Sequence, residues 1–115
     1  MKRVYVAGAF SADNVLEVLS NMRNGMRAAT RLFLLGYAPF CPWLDYQYSL
    51  MLRENEEVST DDFYDYSIAW LKVSDMMVVL PNSNHSRGTQ REIAIAKDMG
   101  IPIYYDIEEF IKEQP

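Results

Sequence analysis

Residues 74–103 read SDMMVVLPNSNHSRGTQREIAIAKDMGIPI, and this stretch decides the fold. Its residues 76–80, MMVVL, are an apolar run of strand length, the pattern of a strand buried on both faces of a parallel sheet. A polar loop, PNSNHSRG, follows over residues 81–88. Residues 89–99 then read as a helix, closed by Gly100 and Pro102, and residues 101–105 return to strand character. A strand, a helix and a second strand in that order form a parallel β-α-β unit.

The alternation continues outward. Residues 2–7 form a short buried strand around VYVA, stopped by Gly8, and residues 9–14 make a loop with Ser11, Asp13 and Asn14. Residues 15–35 carry apolar side chains at helical spacing (Val18, Met22, Met26, Ala29, Phe33) up to Gly36, a natural helix-terminating residue. Residues 37–40 are strand-like, with Pro39 and Pro42 as bounds. Residues 43–59 mix Trp43, Tyr46 and Tyr48 with the charges of 53–57 and have no clean period, which predicts a helical or irregular excursion over the mouth of a site. Residues 61–74 read as a helix with Phe63, Tyr66, Trp70 and Leu71 near one face, and residues 107–112 as a short terminal helix. The expected fold class is α/β, an open parallel sheet of about four to five strands flanked by helices in a Rossmann-like or flavodoxin-like sandwich. Residues 1–115 are expected to form a single domain of this kind.

Composition narrows the function. With 115 residues and 50% apolar content, the chain is large enough for one core and too small for two. No run approaches the roughly 18–20 apolar residues of a membrane helix. The opening MKRVYVAG is too short in apolar residues for a secretory leader, so a cytoplasmic location is expected. Sixteen acidic residues against eleven basic give a net charge of −5, opposite to the balance of a nucleic-acid-binding surface. A small anionic ligand held by local cations remains compatible. Cys41 is the single cysteine and His85 the single histidine, which removes intrachain disulfides, cysteine cages, His-pair metal sites and most histidine triads. No metal and no cofactor are expected.

In open parallel sheets, ligands bind beyond the carboxyl ends of the strands. The loops over residues 8–14 and 81–88 both leave such ends, and they line one crevice if their strands are neighbours. The densest chemistry follows the second loop: Ser86, Arg87, Gly88, Thr89, Gln90, Arg91, Glu92. Gly88 allows close backbone approach, the helix start offers free N–H groups to an anion, Ser86 adds a hydroxyl and Arg87 a charge. Glu92, read as lying in the first helical turn, is expected to be held ionised by the helix dipole, as a glycosyl-transfer nucleophile requires. Thr89-x-x-Glu92 is equally a capping box, in which both residues merely satisfy helix N–H groups. Spacing alone leaves both readings open.

VYVAGAF, a long helix ending LLGYAPFCP, then WLKVSDMMVVLP and SRGTQREIAIAKDMGIPI, together resemble the nucleoside 2-deoxyribosyltransferase-like superfamily over nearly the whole chain. The resemblance implies that Glu92 is the nucleophile that takes the sugar and that the Tyr5 hydroxyl positions it. Gly8, Ala9 and Phe10, with Ala7, then belong to the sugar and base pocket. Ser86 stands six residues before the glutamate, where base-exchanging transferases carry aspartate and nucleoside 5′-monophosphate N-hydrolases carry serine to contact the phosphate. The same pattern implies an acid on the helix before MMVVL. The hydrolase-like position falls on Ser67, and Asp65 is the expected acid that protonates the leaving base, although Asp61, Asp62 and Asp65 also suit a solvated helix start. Transferases of this group complete each pocket with residues near a neighbour's C-terminus, for which Gln114 and Pro115 offer no counterpart.

The expected function is cleavage of the N-glycosidic bond of a (2′-deoxy)nucleoside 5′-monophosphate. Base exchange between deoxynucleosides is one alternative, and a non-catalytic nucleotide-sensing pocket is another. The expected partner is a small-molecule nucleoside or nucleotide, with no nucleic acid and no membrane. Trp43, Tyr46 and Tyr48 either stack on a base or form a subunit interface, which favours a homodimer or larger homo-oligomer. Arg23 and Arg27 either reach a phosphate or form an exposed basic face, His85 is expected at the pocket rim or in solvent, and Asp75 at a strand start.

Overall fold

The computed structural model describes residues 1–81 and 83–114; Asn82, in the expected polar loop, and Pro115 lie outside the described residues. Strand β1 (Arg3–Ala7) leads to helix α1 (Val15–Leu34) and strand β2 (Ala38–Phe40). A 3-10 turn over Pro42–Asp45 runs into the short helix α2 (Tyr46–Leu50). Helix α3 (Thr60–Leu71), strand β3 (Met76–Val79), helix α4 (Arg87–Asp98), strand β4 (Ile103–Tyr104) and helix α5 (Ile107–Glu113) complete the order. Among the described residues four strands form one parallel sheet, as the sequence predicts, and their order is β2-β1-β3-β4.

Side-chain alternation along the strands divides the core in two. Val4 and Val6 of β1, with Met76 and Val78 of β3, meet Ala29 and Leu32 of α1, Trp43, and Phe110 of α5. Tyr5 and Ala7, with Met77 and Val79, face the other way, onto Leu71 of α3 and Ile93 and Ala96 of α4. Helices therefore cover both faces, and each fully buried Val or Met side chain stabilises the fold by roughly 1.5–3 kcal/mol. The buried line of α1 runs through Gly25, Ala29 and Leu32, whereas Phe33, expected in the core, is 62% exposed. A helix stripe only one residue wide of its expected position changes which large side chain meets the sheet.

Helix ends follow local chemistry. Gly36 and Gly100 take positive φ, of 96° and 71°. After each, the next N–H returns to the last helical turn, Tyr37 to Leu32 and Ile101 to Ala96. Ser59 and Asp62 form a reciprocal capping box at the start of α3, so Asp62 is a structural cap. Asp75 precedes β3 and accepts from the Arg3 backbone N–H at 2.7 Å, tying the two central strands at their entry.

Trp43 corrects an expectation. It is buried in the α1 side of the core, borders the cleft and donates its indole N–H to the Ala9 carbonyl at 3.1 Å, so it anchors the loop after β1 and is too enclosed to form an exposed subunit interface. Its ring lies flat against Gly25, where a Cβ would stand 2.3 Å from Cε3 and 2.4 Å from Cδ2. Alanine at a helix interior normally gains up to about 1 kcal/mol over glycine. Here the rigid, pinned indole leaves no space, and overpacking of about 1–3 kcal/mol exceeds that gain. Gly25→Ala is therefore expected to lower the urea midpoint, and an unchanged or higher midpoint would show that the indole moves freely.

Candidate active site

β1 and β3 are adjacent and parallel, with Tyr5 opposite Met77 and Ala7 opposite Val79. The chain leaves β1 towards β2 on one side, while β3 and β4 lie on the other, so the connections diverge at this point. Such a divergence opens a crevice at the carboxyl ends of the strands. The loop after β1 is stitched to the loop after β3 by the Ala9 N–H donating to Ser83 Oγ at 3.2 Å. Between these loops, the 42–49 segment and the faces of α3 and α4 lies a cleft of about 1020 Å³. That volume accommodates a nucleotide-sized ligand.

Gly8, Ala9, Phe10, Ser86, Arg87, Gly88 and Glu92, all expected from the sequence, line this cleft. Tyr5 lies fully buried beneath it and donates its phenolic hydrogen to Glu92 Oε2. Asp65 is exposed on α3 and is absent from the lining. It sits two residues from buried Ser67, about 200° away around an ideal helix, so the expected acid points away from the crevice. Arg23 and Arg27 are also exposed and outside the lining, whereas His85 stands at the rim as expected.

The start of α4 differs from the expected one. The N-cap is Ser86, whose Oγ accepts from the Thr89 N–H at 3.2 Å and from the Thr89 hydroxyl at 2.9 Å. The Thr89-x-x-Glu92 capping box therefore does not form. With two bonds accepted, the Ser86 hydroxyl keeps its own hydrogen for a ligand. Gly88 lets the Tyr64 ring approach closely, because a Cβ there would stand 2.6 Å from the Tyr64 hydroxyl, itself a cleft group.

Because α4 begins at Arg87, Glu92 lies in its second turn, beyond strong reach of the dipole. Burial dominates instead and pushes its carboxyl up to about 7, partly opposed by the Tyr5 hydrogen bond. The expected ionisation by the helix dipole is thus replaced by a desolvated carboxyl that titrates near neutrality. The Tyr5 phenol is held well above its usual range, first by burial and then by the Glu92 charge, so it remains a hydrogen-bond donor.

Besides the exposed Asp13 and Glu17, the cleft lining holds a second buried carboxyl in addition to Glu92, missing from the sequence expectations. Asp45, 9% exposed at the end of the 3-10 turn, accepts from Ser67 Oγ at 3.2 Å, and burial pushes it up to about 6. The Ser67–Asp45 and Tyr5–Glu92 hydrogen bonds lie side by side on the floor of the cleft. The available signal was an acid inside the aromatic run Trp43-Leu44-Asp45-Tyr46, a residue type that burial tolerates only with a purpose. Among the described residues, no group of three or more metal-ligating side chains is assembled, and no helix is long and apolar enough to cross a membrane.

The fold is shared with solved structures. A conserved protein from Enterococcus faecalis V583 is similar with a TM-score of 0.68 and 17% identity, over 90% of this chain and 61% of that one, so this chain spans less than two thirds of its length. A 2-deoxyribosyltransferase from Bacillus psychrosaccharolyticus is similar with a TM-score of 0.59 and 18% identity, over 88% of this chain and 69% of that one. At these identities the likeness is one of fold, and it matches the α/β architecture of the resemblance noted in the sequence. No curated protein matches the chain. The family model described as "Domain of unknown function (DUF7768)" matches residues 2–106, and the chain belongs to that family.

Proposed function

We propose that the protein cleaves the N-glycosidic bond of a (2′-deoxy)nucleoside 5′-monophosphate, with Glu92 as the nucleophile. The observation that carries this reading is the Glu92 carboxyl, buried at the floor of a nucleotide-sized cleft and held by the Tyr5 phenol. A desolvated carboxylate is poorly stabilised by water, so it gains most from a sugar carbon that develops positive charge. Tyr5 fixes which oxygen is engaged and leaves the other to attack C1′. The C1′–N bond breaks with its electron pair going to the base, and water then hydrolyses the sugar ester at Glu92.

The start of α4 supplies the anion site. Ser86, Arg87 and Gly88 border the cleft at this helix start, and the serine hydroxyl, the first N–H groups and the guanidinium supply donors that suit a 5′-phosphate, which supports this reading. Gly8, Ala9 and Phe10 border the sugar and base. A deoxyribosyltransferase on the same fold supports sugar transfer as the reaction class. A small-molecule nucleotide is the proposed partner, acting in a cytoplasmic homo-oligomer.

Chromatography of nucleosides and 5′-monophosphates after incubation with the protein tests this reading. Free base is expected from monophosphates, and Glu92→Gln is expected to lose at least about 10³-fold in turnover. Full activity in that variant refutes Glu92 as nucleophile, and a new nucleoside or nucleotide formed with an added free base shows transfer in place of hydrolysis. Ser86→Asp keeps a good helix cap but sets a negative charge against the phosphate. It is expected to raise KM for monophosphates at least about tenfold and leave free nucleosides little changed.

The buried nucleophile also costs stability. Its folded carboxyl, at about 7, lies above the ordinary 4.5. At pH 8 both folded and unfolded forms are ionised and the full penalty, on the order of 2–3 kcal/mol, is present. As pH falls through about 7 the folded form takes up a proton first and the penalty fades, with Asp45 adding the same sign from about 6 downward. Glu92→Gln is therefore expected to melt several degrees above wild type at pH 8, with the gap narrowing by pH 5. A gap that is constant with pH would remove the desolvation argument.

A further inference from the structure

Asp45 has no structural task that explains its burial. It stands at the N-cap position of α2, yet its side chain caps nothing there. Among the described residues it makes no salt bridge, the Arg31–Glu108 pair on the surface being elsewhere. The titratable groups that face it are Tyr5 on β1, Cys41 beside the 3-10 turn and Tyr66 on α3, none of them a cation, with the Ser67 hydroxyl as its hydrogen-bond donor. A carboxyl with one hydrogen bond and no counter-charge is a net cost to the fold. Its remaining oxygen, Oδ1, belongs to a residue that lines the same cleft as Glu92.

We propose that Asp45 is the acid that protonates the departing base and the base that later activates water, with Ser67 as its positioning residue; this rests on the glycosidic reading above. In the first step a Glu92 oxygen bonds to C1′, the C1′–N electron pair passes to the base, and the Asp45 proton neutralises that base. In the second step water bonds to C1′, the ester bond returns its electron pair to Glu92, and the proton lost by water goes to Asp45. Both carboxyls end the cycle as they began. Two carboxyls with opposite tasks are the general solution for this bond type, and the exposed Asp65 offers none of this geometry.

The active form holds one proton on the Asp45–Glu92 pair, wherever that proton rests in the free protein. The two macroscopic steps lie near about 6 and about 7, so kcat/KM on a monophosphate is expected to rise through the first and fall above the second.

The test compares a natural monophosphate with a 4-nitrophenyl 2-deoxyribofuranoside 5-phosphate, whose leaving group departs as a stable anion and needs no proton. Asp45→Asn is isosteric and still accepts from Ser67. It is expected to lower kcat/KM, which reports the first step, about 100-fold or more on the monophosphate and by less than about threefold on the nitrophenyl substrate. Asp65→Asn, outside the cleft, is expected to leave both rates within about twofold. Equal losses of kcat/KM on both substrates in Asp45→Asn, or no loss on the monophosphate, overturn the acid role while the glycosidic reading stands. A wild-type protein that releases no base from any substrate overturns both. Wild-type pH profiles decide the matter should Asp45→Asn fold poorly: the alkaline fall is expected with the monophosphate and absent with the nitrophenyl substrate, and an alkaline fall on both overturns the proposal.

Discussion

A phenol buried at the centre of a sheet must find a partner for its hydroxyl, and in this protein the partner is a carboxyl that is itself buried. Tyr5 is fully enclosed between β1 and the α3–α4 layer, and its hydroxyl donates to Glu92. Neither group is tolerable alone in that position, because an unsatisfied buried hydroxyl or an unpaired buried carboxylate carries a penalty of several kcal/mol by order of magnitude. Together they fix the register of β1, the side of the sheet that α4 covers, and the depth of the cleft floor. A shift of one residue along β1 would turn Tyr5 towards α1 and leave Glu92 without a donor.

The walls of the cleft depend on a second set of close contacts. Gly25 lets the Trp43 indole press against α1, and the indole in turn holds the Ala9 carbonyl. Ser83 holds the Ala9 N–H from the opposite loop. The loop after β1 is therefore fastened through both its backbone groups at one residue, and the crevice keeps its width without a contribution from the ligand. On the far wall Gly88 admits Tyr64, whose ring also carries the Arg91 guanidinium 5.5 Å from its centre. A scaffold that spends its packing on rigid walls can keep two poorly solvated carboxyls on its floor, a local cost of the kind that functional sites carry.

How much of this was legible varies with the range of the interaction. MMVVL, with no polar residue to face water, had to be a doubly covered strand, and the glycines after α1 and α4 marked helix ends through their positive φ. Phe33 and Leu32 are both apolar, and periodicity could not tell which one the sheet would meet; α1 turns Leu32 inward. Ser86 and Thr89 are equally good caps by composition, and the bond from Ser83 to Ser86 decides between them by starting the turn early. Asp45 had only a weak signal, an acid among aromatics in a stretch with no period, while Asp65 was conspicuous only for lying beside the right helix position. Counting along a helix gives an angle, and the angle that matters is the one to the cleft.

The sequence by itself determined the alternation of helices and strands and the parallel sheet, and it singled out Ser86 to Glu92 as the densest run of chemically capable residues; the pairing of β1 with β3 brought the two loops together. What the sequence determined follows from local periodicity, from glycine at turns and from the alternation of strand and helix, all of which act within a few dozen residues. Tertiary structure alone decided that Glu92 faces Tyr5 in a dry floor, that its carboxyl titrates near neutrality, and that the second carboxyl comes from Asp45. Desolvation depends on which distant segments close over a group, and the residues that enclose these two carboxyls come from β1, the 42–49 segment, α3 and α4 together.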